Sequence, residues 1–231
     1  MQTKTFKKIK RHLFTILFAA CLVSLTACKT DVAVKGTPQT ITGTEKILVL
    51  PFKNMSKVYG ENVNVRCPVC GKVIMIGKIE DGVEHDLTEW LFNGLKDREG
   101  FQFIPPSQAE GVVSGLMLNN TFARSEKDMI IETGRKLDAD AVIYGYVYRY
   151  TERVGTKYSV ESPASVAFDI HLIQVVDGRL LWNGHFDETQ QPLSENLLKL
   201  GSFIKRKGQW ISAHEMAITG IEDILKTFPK P

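Results

Sequence analysis

Apolar and polar positions in the first half of the chain switch between strand-like runs and helix-like spacing. Ile47 to Leu50 form a continuous apolar run that Pro51 ends, which predicts a strand buried on both faces. From Val83 to Asp97 the apolar side chains recur at helical spacing, with acids early and basic residues late, which predicts a helix. The other elements predicted here are a β-hairpin over 62–79, a strand over 101–104 and two helices opened by the capping-box patterns Ser107-x-x-Glu110 and Ser125-x-x-Asp128.

The second half alternates with a period of two and predicts an antiparallel meander. Its strands cover 140–150, 164–176 and 179–187, and Asp177-Gly178 is a two-residue hairpin signal between the last two. Helices around 193–204 and 210–228 follow. The first of these strands places a stripe of tyrosines on one face: Tyr144, Tyr146, Tyr148 and Tyr150. The stripe is a candidate interaction surface, but the apolar opposite face favours a position in the core.

The first 28 residues have the pattern of a lipoprotein signal. A basic stretch, Lys4 to Arg11, precedes the apolar run Leu13 to Leu25, which is shorter than the ~20 residues that a membrane-spanning helix needs. Leu25-Thr26-Ala27-Cys28 has the form of a lipobox. We predict that residues 1–27 are a signal peptide cleaved between Ala27 and Cys28, and that Cys28 carries the lipid, including palmitate. An ordinary secretory signal is the alternative.

Removal of this signal changes the charge balance and leaves one domain. The whole chain has a net charge of +3, but residues 1–27 hold five of its 29 basic residues and none of its 26 acidic ones, which leaves −2. The basic character thus belongs to the signal and gives no support to nucleic-acid binding. Residues 28–45 are predicted to be a flexible tether and residues 46–231 a single domain. Lys29, rather than Asp, follows the anchor, which indicates the periplasmic side of the outer membrane.

The segment Cys67-Pro68-Val69-Cys70-Gly71, at the tip of the predicted hairpin, is the sharpest local motif. We expect a disulfide between Cys67 and Cys70, because export leads to an oxidising compartment and two cysteines alone do not saturate zinc. Zinc binding is the alternative, since this sequence motif is typical of a zinc knuckle. His85, His171, His185, His214 or a second subunit would then complete the site, with His85 as the extra ligand. A thioredoxin-type dithiol is less favoured, because the flanks are strand-like rather than helical.

No catalytic residue is predicted. Asp169 and His171 share a face of one predicted strand, and His185 lies on the next. A serine or cysteine nucleophile in a recognisable setting is missing from the sequence around them, so we expect polar positions on a half-exposed sheet. We find neither a phosphate-binding glycine loop nor a dinucleotide fingerprint, and expect no enzyme and no cofactor other than the zinc alternative.

Three motifs in order, behind a lipobox, resemble a known superfamily. They are ILVLPFKN at 47–54, LDADAVIYG at 137–145 and IQVVDGRLLW at 173–182. Together they resemble the CsgG-like bacterial lipoproteins, whose relatives include penicillin-binding-protein activators and the amino-terminal domain of TolB. The resemblance covers residues 46–228, with the cysteine hairpin as a departure. It implies a three-layer α/β sandwich with a mixed sheet, and a role in envelope assembly through protein contact without shared catalytic residues.

We therefore expect a non-enzymatic, lipid-anchored periplasmic adaptor or assembly factor for cell-envelope or secreted proteins. Its expected partners are the membrane, through the lipid, and an unknown envelope protein, with a homo-oligomer left open and nucleic acid excluded. One alternative is a subunit of an oligomeric outer-membrane secretion channel, which needs long amphipathic hairpins of ~9–11 residues per strand. Another is a metal-binding or redox lipoprotein that depends on the two cysteines.

Overall fold

The computed structural model describes residues 39–118, 125–191 and 209–231. The predicted signal peptide, most of the tether and the helix predicted around 193–204 lie outside the described residues. The strands are β1 (Lys46–Val49), β2 (Lys53–Asn54), β3 (Asn64–Arg66), β4 (Val73–Met75), β5 (Gln102–Ile104), β6 (Ala141–Thr151), β7 (Val154–Gly155), β8 (Val160–Ser162), β9 (Ser165–Gln174) and β10 (Leu180–Thr189). The helices are α1 (Ser56–Tyr59), α2 (Val83–Leu95), α3 (Glu110–Leu118), α4 (Glu126–Lys136) and α5 (Ala213–Leu225).

A six-stranded mixed sheet forms the middle layer. Its order is β10-β9-β6-β1-β5, and β2 pairs with β6 further along that strand. β1 runs parallel to β5 and β6, whereas β6, β9 and β10 form an antiparallel meander. Helices cover both faces of the sheet, so the predicted three-layer α/β sandwich with a mixed sheet is confirmed. Within the described residues, none of the helices has the length and apolar character needed to cross a membrane.

Helices α2 and α5 cover one face of the sheet. Leu87, Leu91 and Leu95 of α2 are fully buried, one turn apart, as their helical spacing predicted. They belong to a cluster that includes Phe168 and Ile170 from the central strand β9. This cluster is the larger of the two hydrophobic clusters that form the core.

Helix α4 and the β3–β4 hairpin cover the opposite face. Val65, Cys67, Ile74 and Ile76 of the hairpin are buried in one cluster with the tyrosines of β6. The hairpin is a separate two-stranded sheet beside the main sheet, but its inner face is part of the core. Alternate residues of the hairpin are apolar, so it has a face of its own to bury, and the sheet supplies the matching surface.

The tyrosine stripe of β6 is split between the two faces. Tyr144 and Tyr146 lie in the cluster under the hairpin, together with Tyr148, whereas Tyr150 lies in the cluster under α2 and α5. A β-bulge between Val147 and Arg149 shifts the register there, and one inserted residue moves every later side chain to the other face. All four tyrosines are buried, so the candidate interaction surface is corrected to two parts of the core.

The end of the hairpin is fastened to the far end of β6. The Gly77 amide donates to the Tyr148 carbonyl at 2.9 Å, and the Tyr150 amide donates to the Lys78 carbonyl at 2.8 Å. The guanidinium of Arg149 also donates to the Met75 carbonyl at 3.3 Å. These bonds fix where the hairpin leaves the sheet, and therefore where its cysteine-bearing tip lies.

The N-termini of α4 and α3 are capped differently, although the sequence before each has the capping-box pattern. Ser125 and Asp128 form the predicted capping box at α4, each side chain accepting from the other's backbone amide. Ser107 does not begin a helix in the same way. It lies inside a 3-10 turn, Pro106–Gln108, and α3 begins only at Glu110. The prolines before Ser107 set this turn, because Pro at the first position suits a helical start one residue earlier.

Candidate metal centre

The turn between β3 and β4 holds its two cysteines in a knuckle. The Cys67 amide donates to the Lys72 carbonyl at 2.8 Å, and the Gly71 amide donates to the Cys67 carbonyl at 3.0 Å. Gly71 has φ of +76°, a left-handed conformation that glycine adopts without strain. The Cys70 amide points at the Cys67 sulfur, 3.5 Å away. The turn therefore directs a backbone N–H toward a sulfur, which favours a negatively charged thiolate there.

Strand β9 supplies the other two groups. Asp169 and His171 are two residues apart, so their side chains leave the same face of the strand. They are 1% and 0% exposed. The expected half-exposed sheet is thus wrong at these positions, because the hairpin covers this face. Such depth is rare for an Asp without an ionic or metal partner.

Four side chains from the hairpin and β9 converge on one point. They are Cys67, Cys70, Asp169 and His171, and their ligand atoms all lie within 4.8 Å of one another. Sγ of Cys67 is 3.5 Å from Nε2 of His171. Sγ of Cys70 is 4.0 Å from Oδ2 of Asp169, which is 3.7 Å from the same His171 nitrogen. Two sulfurs, one nitrogen and one oxygen thus face a common centre.

The groups around this centre leave part of it unsatisfied. The Tyr148 hydroxyl donates to Oδ2 of Asp169 at 2.9 Å. The other oxygen, Oδ1, is buried without a hydrogen-bond partner, and so is Nδ1 of His171. The positive charge of Lys72 acts on Asp169 from the knuckle. The Tyr148 hydroxyl is a neutral donor and the Lys72 ammonium is exposed to solvent. These two groups therefore offset little of the free-energy cost of burying the Asp169 carboxylate.

Burial disfavours the charged forms of three of these groups, Cys67, Asp169 and His171, and so shifts their pKa values. It raises the pKa of Cys67 to about 12, and the neighbouring Asp169 charge adds to this rise. Burial raises the pKa of Asp169 to about 7, although the Tyr148 hydroxyl acts in the opposite direction. It lowers the pKa of His171 to about 4. A raised thiol pKa is the reverse of what an attacking redox cysteine needs, so the arrangement does not favour a thioredoxin-type dithiol.

The structure places the remaining sequence candidates elsewhere. His85 lies exposed on α2, with Nε2 3.3 Å from a carboxylate oxygen of Glu89, and takes no part in the cluster. The extra ligand is therefore corrected from His85 to His171. His185 pairs with Asp169 across β9 and β10 but stays outside the four converging groups. Cys67 and Cys70 are free thiols in the structure, so their disulfide stays a prediction.

Comparison with known proteins adds little to this description. No family model matches the chain, and no curated protein matches it. The PelC dodecamer from Paraburkholderia phytofirmans is 14% identical, with 85% of this chain and 96% of that one covered and a TM-score of 0.45. The LpoB C-terminal domain from Escherichia coli is 18% identical, with 65% and 86% covered and a TM-score of 0.38. Lipoprotein GNA1162 from Neisseria meningitidis is 18% identical, with 71% and 96% covered and a TM-score of 0.38. Similarities this low carry no argument about family or function.

What the structure itself defines is a mixed α/β domain with a largely buried cluster of two cysteines, an aspartate and a histidine.

Proposed function

We propose that this protein is a non-enzymatic, lipid-anchored adaptor or assembly factor of the cell envelope, on the periplasmic side of the outer membrane. The observation that carries the proposal is the lipobox Leu25-Thr26-Ala27-Cys28 ahead of a polar tether and the α/β domain. Lipid at Cys28, with more than one acyl chain, suffices for stable anchoring. Residues 40–45 are bonded to the domain, for example by the Ile41 amide, which donates to the Lys230 carbonyl at 2.9 Å. The proposed tether is therefore residues 28–39, which as a coil would let the domain reach partners on the order of 15–20 Å from the membrane.

The outer face of the β3–β4 hairpin is the contact surface in this proposal. Eight large apolar side chains are exposed among the described residues. Five of these come from a stretch of 18 residues: Val73 and Met75 lie on the outer face of the hairpin, Val63 precedes β3, and Val58 and Tyr59 lie on α1. Clustered exposed apolar side chains mark protein contacts more often than scattered ones. Val73 and Met75 point outward because their neighbour Ile74 points into the core.

Charge indicates the kind of partner that fits this face. Residues 62–79 contain three basic residues, Arg66, Lys72 and Lys78, and no acidic one, although the predicted mature chain has a net charge of −2. Two copies meeting through this face would bring like charges together. The occupant we propose is therefore a different envelope protein with an acidic surface that also offers apolar side chains.

The anchor is tested by metabolic labelling with a palmitate analogue. Cys28→Ala is expected to lose the label and to leave the membrane fraction. Cys21→Ala is the matched control, because this cysteine lies in the predicted signal peptide, and it should keep both. Equal labelling of the wild type and Cys28→Ala would show that the lipid anchor is absent.

The contact surface is tested by a photoreactive amino acid placed at Met75 in cells. We expect a crosslink to another envelope protein, and a lower yield when Lys78→Glu reverses one of the positive charges of residues 62–79. Val176 is the control position, since it is apolar and 75% exposed but lies in the turn between β9 and β10. A crosslink from Met75 only to a second copy of this chain would contradict the proposed partner.

A further inference from the structure

We propose that the hairpin and strand β9 together bind one zinc ion, which clamps the hairpin to the centre of the sheet. The ligands are the thiolates of Cys67 and Cys70, a carboxylate oxygen of Asp169 and Nε2 of His171. This inference is independent of the proposed function, because it requires neither the lipid anchor nor a partner protein.

The spacing of the four atoms suits a tetrahedral ion. Zinc bonds of about 2.0–2.3 Å to nitrogen, oxygen and sulfur give edges of roughly 3.3–3.8 Å between ligand atoms in a tetrahedron. The edge from the Cys67 sulfur to the His171 nitrogen is 3.5 Å, and the edge from that nitrogen to Oδ2 of Asp169 is 3.7 Å. The edge from the Cys70 sulfur to the same oxygen is 4.0 Å, and the other three edges are no longer than 4.8 Å, so the ligands have to move inward to complete the tetrahedron.

The chemistry of the ligands selects zinc among common divalent ions. Magnesium and calcium bind six or more oxygen atoms, whereas this centre offers a single carboxylate beside two sulfurs and an imidazole. Mixed sulfur and nitrogen ligands in a tetrahedral arrangement are those of zinc. All four positions come from the protein, which is the pattern of a structural zinc site rather than a catalytic one.

A second observation indicates a cation at this centre. Asp169 is 1% exposed and its Oδ1 has no hydrogen-bond partner, so little offsets the charge of the buried carboxylate, and an ion on Oδ2 supplies the missing positive charge. On binding, each thiol releases its proton to water and its sulfur bonds to the ion, without electron transfer. The ion then neutralises two of the three negative charges, and the ammonium of Lys72 lies close enough to act on the remaining one.

A neighbouring side chain holds one of the proposed ligands, whereas Nδ1 of His171 is buried without a hydrogen-bond partner. The Tyr148 hydroxyl donates to Asp169 and so holds the carboxylate in place. The Cys70 amide points at the Cys67 sulfur, as in zinc knuckles. A disulfide between the two cysteines would instead remove both thiols as partners of His171 and Asp169.

Metal content of the full-length protein tests the site. The protein is extracted from membranes in detergent without chelator, and zinc is measured by elemental analysis and native mass spectrometry. We expect one zinc per chain, and its loss in Cys70→Ser and in His171→Ala. His85→Ala is the matched control, because this histidine is exposed on α2 and should leave the zinc in place.

Cobalt replacement keeps the test valid where a variant folds poorly. Cobalt added to the metal-free wild type should give the visible absorption of a tetrahedral ion and a near-ultraviolet band from sulfur-to-cobalt charge transfer. Asp169→Ala should shift the visible bands, since water replaces one ligand. The proposal is overturned if the wild type gains two hydrogen atoms in mass on reduction and holds no metal. Zinc retained in both His171→Ala and Asp169→Ala would equally overturn it, by placing the metal away from the sheet.

Discussion

The Cys67 sulfur lies 3.5 Å from Nε2 of His171, although 104 residues separate them along the chain. One atom belongs to the tip of a short hairpin and the other to the central antiparallel strand β9. A metal ion between them closes a very long loop, and links of this kind are the ones from which the unfolded chain loses the most entropy. If zinc binds there, we expect the stability of the hairpin face to depend on these ligand atoms.

Removal of the metal is expected to destabilise the wild type. An ion present at about 100 times its dissociation constant contributes about 2.7 kcal/mol to the free energy of unfolding. For a domain of this size, that corresponds to a fall in Tm of about 5–10 °C. Thermal unfolding followed by circular dichroism, with and without a strong zinc chelator, measures the change.

Cys70→Ser is the control for this measurement. It lacks one ligand, so the chelator should leave its Tm unchanged, and the untreated variant should unfold near the temperature of the chelated wild type. If the chelator lowered the Tm of both proteins equally, the metal would bind elsewhere in the chain.

Tyr148→Phe is expected to weaken zinc binding without changing the fold. The substitution removes the hydroxyl that donates to Asp169 at 2.9 Å and keeps the buried ring. Loss of such an outer contact lowers metal affinity by about 10–100-fold. Competition with a chromophoric chelator measures the affinity, and Tyr158→Phe is the control, because Tyr158 is exposed and far from the cluster in the fold. An unchanged affinity with a lowered Tm would mean that the hydroxyl serves packing alone.

Long periodic segments of the fold could be predicted from the sequence. The strand at Ile47 to Leu50, the helix that begins at Val83 and the meander after Asp140 each carry a strong pattern of period 2 or 3.6, and all three are present. The three-layer α/β class itself was implied by the resemblance to the CsgG-like lipoproteins. Tertiary contacts override such patterns least where the pattern is long.

The site depended on contacts that a single segment does not reveal. The cysteine pair was evident, but Asp169 and His171 were expected on a half-exposed sheet, because nothing local shows that the hairpin folds back over β9. The bulge that moves Tyr150 to the other face was missed for a similar reason, since one extra residue leaves the alternation of tyrosines unchanged. The available signal was the Asp-x-His spacing on a strand, which puts two ligands on one face.

Gly145→Ala is expected to destabilise the domain by about 1–3 kcal/mol through overpacking. An added Cβ would lie 2.6 Å from Cδ1 and from Cζ of Phe52, inside the core. The Phe52 ring has little freedom to move, because it packs edge-on against Phe168 with ring centroids 6.1 Å apart. Chemical denaturation measures the change in the free energy of unfolding.

The matched substitution is Gly111→Ala in α3. A Cβ there meets no atom within 4 Å, so alanine should stabilise the helix by about 0.5–1 kcal/mol. Equal effects of the two substitutions would contradict the close approach of Phe52 to β6.

Ser125→Ala should cost about 0.5–2 kcal/mol, because it removes the cap of α4. The Ser125 hydroxyl accepts from the Asp128 amide at 3.3 Å, and the Asp128 carboxylate accepts from the Ser125 amide at 3.0 Å. Ser107→Ala tests the similar sequence pattern that lies inside a 3-10 turn, and its effect should stay within about 0.5 kcal/mol. Urea unfolding of both variants against the wild type gives the two values. A cost at Ser107 as large as that at Ser125 would mean that the capping pattern, and not the turn set by the preceding prolines, governs the start of α3.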